Sequence, residues 1–106
     1  MPEPVTVTLE HDKQPDELRR RIDENIDELT SGVAGRVALK VNKRWEGDTL
    51  HFDARVMMQT IKGTIEMFPQ HVRITVWLPA FLAGMANKVA DRLQKSGGRM
   101  LEDKRA

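Results

Sequence analysis

Apolar and polar residues alternate one for one in five stretches of this chain and recur at three- and four-residue intervals in two others, so the hydrophobic rhythm divides it into strands and helices. Val5, Val7 and Leu9 alternate with Thr6, Thr8 and Glu10, which predicts a strand with one buried face. Pro15 stands where a first helical turn tolerates it, Asp16 and Glu17 come next at the positive end of the helix dipole, and Leu18, Ile22, Ile26 and Leu29 form an apolar stripe. The remaining positions of this helix, Arg19, Arg20, Arg21, Asp23, Glu24, Asp27 and Glu28, read as a solvated face laced by weak pairs. Gly32 and Gly35 bracket its exit and suit a left-handed C-terminal cap, after which Val37, Leu39 and Val41 alternate again.

The stretch WEGDTLHF, residues 45–52, settles the register of the strands on either side of it. With Gly47 and Asp48 as the two central residues of a tight turn, Trp45 stands opposite Leu50, Val41 opposite Ala54, Leu39 opposite Val56 and Val37 opposite Met58, all on one face. A three-residue loop would slip the register by one and turn one strand's apolar set outward, so burial selects the even loop. The same arithmetic through Pro69 and Gln70 pairs Met67 with Val72, Ile65 with Ile74, Gly63 with Val76 and Ile61 with Leu78. On the reverse face it pairs Glu66 with Arg73, Thr64 with Thr75 and Lys62 with Trp77. Met57 and Trp77 also point to this polar side, either as ordinary exposed residues or as a partner surface. MMQTIK, residues 57–62, must turn without glycine, proline or asparagine, which leaves room for a bulge or a longer loop. Pro79 then opens a last helix whose stripe is Phe81, Leu82, Met85, Ala86, Val89 and Leu93, with Gly97 and Gly98 as its expected end. The expected architecture is α+β in the order β-α-β-β-β-β-α, an antiparallel sheet with two helices packed on one face. It forms one domain over residues 1–95, with 96–106 as a tail that either forms a short helix, frays or docks on a second copy.

Composition narrows the function classes. The 106 residues, 40% hydrophobic and 31% charged, suit one globular domain that buries about 65% of the surface of its unfolded chain. No apolar run approaches the roughly 20 residues of a membrane span. The opening MPEPVTVTLEHD lacks the basic-then-apolar pattern of a secretory signal, so a cytoplasmic location is expected. Net charge is +1; residues 12–30 hold four basic and seven acidic side chains, residues 31–78 seven and four, and residues 88–106 six and three. These balances fall far short of a nucleic-acid footprint.

Reactive constellations are missing from the sequence. There is no cysteine, and His11, His51 and His71 lack metal-ligand spacing. Ser31 and Ser96 sit at glycine-flanked helix exits where capping explains them, and the glycines do not show the strand, loop and helix order that cradles phosphate. Asp48 belongs to the turn, and Asp53 faces solvent opposite Asn42, where nothing raises a carboxylate's proton affinity. The expectation is a protein without catalytic residues, metal or cofactor.

A strand, a helix, the motif with Trp45, Gly47, Asp48, Leu50 and Phe52, then Gly63, the run VRITVWLP and a closing helix resemble the bacterial polyhydroxyalkanoic acid system proteins, also called the polyhydroxyalkanoate granule region family. The resemblance spans about residues 3–95; the stretch from Phe52 to Gly63 and the tail beyond Leu93 are longer than the family pattern. It implies an accessory role in polyhydroxyalkanoate storage, with the granule or its coat proteins as partner and without a functional site to carry over. The element order is also similar to a reduced helix-grip fold, whose sheet wraps a C-terminal helix. Two functions emerge as expectations: attachment to a granule through Met57 and Trp77, or carriage of an acyl ligand in a sheet–helix pocket lined by Trp45, Phe52, Met58, Met67, Phe81 and Met85. The same six side chains filling a core is the competing reading. A homodimer through the polar sheet face or the tail is a further expectation.

Overall fold

The computed structural model describes residues 3–34, 38–56 and 59–101. The chain forms β1 (Glu3–Glu10), α1 (Pro15–Ala34), β2 (Ala38–Glu46), β3 (Thr49–Val56), β4 (Gln59–Met67), β5 (His71–Leu78), a short 3-10 helix at Ala80–Met85, and α2 (Ala86–Leu101). The five strands make one antiparallel sheet in the order β1-β5-β4-β3-β2. Strands β2 to β5 form the meander, and β1 closes its far edge by pairing Val5 with Val76, Val7 with Ile74 and Leu9 with Val72. One face is thereby lined with apolar side chains across the sheet, with Lys43 at the β2 edge beside them.

Both helices cover that face. Leu18, Ile22 and Ile26 of α1 and Val89, Leu93 and Met100 of α2 are buried in one cluster with Leu50, Phe52, Ile61, Ile65, Val72, Ile74, Val76 and Leu78 from the sheet. Each such side chain contributes about 1.5–3 kcal/mol on burial. α1 ends at Ala34, between the two glycines expected to bracket its exit, and Gly35 lies outside the described residues.

Register obeys the two-residue turn, with Trp45 opposite Leu50 and Val41 opposite Ala54. Gly47 adopts φ 61°, a left-handed conformation that this turn requires and that glycine takes without steric penalty. The second hairpin pairs Met67 with Val72, Ile65 with Ile74 and Gly63 with Val76 as expected. One pairing differs. Ala38 stands opposite Val56 and Lys40 opposite Arg55, so Leu39 is the extra residue of an irregularity in β2 and does not face Val56. An edge strand tolerates this because only one of its sides carries a ladder. Val56 pairs with Gln59, leaving Met57 and Met58 between β3 and β4. These two residues, and with them the expected Val37–Met58 pair, lie outside the described residues.

The last helix departs from expectation at both ends. Pro79 is extended and leads into the 3-10 turn before α2 begins at Ala86. At the other end α2 does not stop at Gly97 and Gly98 but continues to Leu101. Gly97 is buried where α2 crosses β1, and a Cβ there would collide with Leu9 Cδ1 and stand 3.6 Å from Ile74 Cδ1. Its missing side chain leaves room for the Leu9 side chain of β1 against the helix and does not end α2. One turn on, Met100 is buried, and Arg21 of α1 donates through Nη1 to its carbonyl at 3.1 Å.

Candidate functional site

The alternation of β5 places Val72, Ile74, Val76 and Leu78 in the core and leaves His71, Arg73, Thr75 and Trp77 on the uncovered face. Trp77 is 37% exposed, the one exposed large hydrophobic side chain among the described residues. Registers across the sheet set it at the end of a row that continues through Lys62 and Asp53 to Asn42. With strands about 4.8 Å apart, that row is roughly 14 Å long. The next row holds Thr75, Thr64, His51 and Arg44. Between the rows lies an open groove of about 700 Å³, with Gly63 and Phe52 contributing to its floor and Trp77 to one end.

Charges along this groove are unevenly engaged. His51 Nε2 lies 3.4 Å from Glu46 Oε1, and Lys43 reaches instead to Asp23 of α1 at 3.5 Å. Arg44 and Lys62 form no ion pair among the described residues, although Lys62 stands directly opposite Asp53. An aromatic face beside two unengaged cations suits a partner that is apolar in bulk and anionic in part.

Of the expected pocket residues, Phe52 belongs to the core cluster and Trp45, Met67 and Met85 pack against it. Phe52 is buried beneath the sheet, its ring filling the space over Gly63. Met67 and Met85 are half-buried at the margin of the core. Met57 and Met58 lie outside the described residues, as does the side chain of Phe81. Trp45 belongs to a different construction. Its Nε1 donates to Asp23 Oδ1 at 2.9 Å, while the Arg19 guanidinium lies 4.2 Å over its ring and donates to Gly47 O at 2.9 Å. Arg19 also stands 3.7 Å from Asp48. The WEGD turn is therefore clasped to α1, and two residues of the expected solvated face perform the clasping.

His11 likewise has a structural task that its isolation in sequence did not signal. Its Nε2 is 2.8 Å from Phe68 O, its Nδ1 accepts from Lys13 N at 3.0 Å, and its own amide donates to Gln70 O at 3.0 Å. These bonds stitch the entry to α1 onto the β4–β5 turn, where Phe68 stacks on His71 at 4.4 Å between ring centres. A second groove, of about 740 Å³, opens there between Glu10, Asp48, Met67 and Pro69. Among the described residues no group of three or more histidine, aspartate or glutamate side chains is arranged to hold a metal ion, and no helix is long and apolar enough to cross a membrane.

Fold and surface define a small α+β protein whose sheet has one packed face and one open face bearing a tryptophan. The family profile of the polyhydroxyalkanoic acid system proteins matches residues 5–98, and the chain belongs to that family. Comparison with curated proteins returned no match. Among solved structures, the crystal structure of TTHA0849 from Thermus thermophilus is similar at 13% identity and a TM-score of 0.38, covering 93% of this chain and 92% of that one.

Proposed function

We propose that this chain is a non-enzymatic accessory protein of polyhydroxyalkanoate storage that attaches, through its open sheet face, to the granule surface or to the proteins coating it in the cytoplasm. Family membership supplies the biological setting. The observation that carries the mode of attachment is Trp77, exposed on an otherwise polar surface. An indole combines a large apolar area with one polar tip, which favours a boundary between water and an apolar phase. The alternative of an acyl carrier has less support, because among the described residues Ile22, Leu50, Ile65 and Ile74 at the sheet–helix interface are wholly buried and pack into one cluster.

Sedimentation with isolated polyester granules tests the proposal. The wild-type chain is expected to pellet with the granules and Trp77→Ala to remain largely in the supernatant; a wild-type chain that stays in solution removes the idea.

A further inference from the structure

The open groove carries more chemistry than adhesion uses. Arg44 and Lys62 lie two strands and one row apart, roughly 12 Å between backbones, and both carry long side chains that can converge on one anion between them. Asp53 and Asn42 stand in the same row as Lys62, on the side away from Trp77. The lining thus offers two unengaged cations, one carboxylate, one amide and an indole face. A dianionic phosphate would be opposed by Asp53 more strongly than a singly charged carboxylate and would leave the indole uncovered. An unsubstituted fatty acid would cover the indole but make no use of Asp53 and Asn42, which would stay hydrated. A hydroxy acid offers a partner to each of these five: its carboxylate to Arg44 and Lys62, its hydroxyl donating to Asp53, its ester oxygens accepting from the Asn42 amide, its alkyl body to Trp77.

We infer that this groove binds the free carboxylate end of a short hydroxyalkanoate oligomer, so that the protein recognises chain ends and not only the bulk polymer surface. The choice of hydroxyalkanoate rests on the granule reading, whereas the preference for a carboxylate with an apolar body rests on the groove's own charge and shape. The test is a titration of the full chain with a hydroxybutyrate trimer as the free acid, the same trimer as its methyl ester, and butyrate, following the Trp77 indole N–H by magnetic resonance. The free acid is expected to produce a saturable shift, with the ester and butyrate each weaker by about tenfold. Lys62→Gln and Arg44→Gln, both on the exposed face, are each expected to weaken the acid by about fivefold without changing the melting temperature. Equal binding of acid and ester, or unchanged binding by both variants, overturns the inference. Sedimentation of the same preparations separates the two claims. Wild-type chain that pellets with granules yet shows no acid-selective shift keeps the attachment and loses the end recognition. Acid-selective binding without pelleting keeps the groove and removes the attachment.

Discussion

Phe52 and Gly63 face one another across β3 and β4, and the phenyl ring occupies the space that a Cβ on the glycine would need. The carbonyl oxygen of Thr75 crowds the same point at 2.8 Å, so neither a rotamer change nor a small ring shift alone clears it. Gly63→Ala is therefore expected to destabilise the fold by about 1–3 kcal/mol. Gly98 gives the opposite sign. It lies within α2, exposed, with open space for 4 Å around the position a Cβ would take, so Gly98→Ala is expected to stabilise by about 0.5–1 kcal/mol through helix propensity and unfolded-state entropy. Paired thermal melts of the two variants, one lower and one higher than wild type, check both. Spacing along the sequence does not separate these glycines. Gly63 reads as one core position among others and Gly98 as a helix stop; only their neighbours in space distinguish a filled contact from open solvent.

Between elements, the hairpin register was legible because side-chain alternation has a period of two, and an odd loop would have exposed Leu50, Phe52 and Ala54 together. The irregularity at Leu39 was not, since the apolar pattern continues through it unchanged. Nor was the clasp between α1 and the turn. Arg19 and Asp23 look like solvent-facing helix positions, and their partners Gly47 and Trp45 lie 28 and 22 residues away. Because the Asp23–Trp45 bond is half-buried and links two elements, the two residues are expected to be energetically coupled. A double-mutant cycle with Asp23→Ala and Trp45→Phe should return about 0.5–1.5 kcal/mol of interaction energy from denaturant unfolding, against additivity if the helix face were merely solvated. The Phe replacement keeps the aromatic ring under Arg19, which confines the measurement mainly to the indole N–H.

For the molecule as a whole, the order of strands brings the candidate site into being: the row from Trp77 to Asn42 exists only because β2, β3, β4 and β5 lie side by side. Their adjacency, and with it the Lys62–Trp77 pair, results from short connections and matching patterns. The place of β1 beside β5 does not, because α1 carries the chain across the sheet between two edges and any edge would satisfy the same alternation. The C-terminal boundary also became visible only in three dimensions, where Gly97 and Met100 pack within the domain. A chain ended after Lys95 is expected to melt roughly 10 °C below the full-length protein, since Met100 alone accounts for about 2 kcal/mol of lost burial. Equal melting temperatures would show that the last turns add nothing.

The outer margins of the sheet bear on how copies of this chain behave at high concentration. β1 includes Pro4 at its exposed rim, a residue without an amide hydrogen to donate, and β2 is interrupted at Leu39 and bears the charged pair Lys43 and Arg44. Both borders thus discourage a neighbouring copy from adding its own strand, so copies meeting edge to edge remain separate units instead of fusing into ribbons.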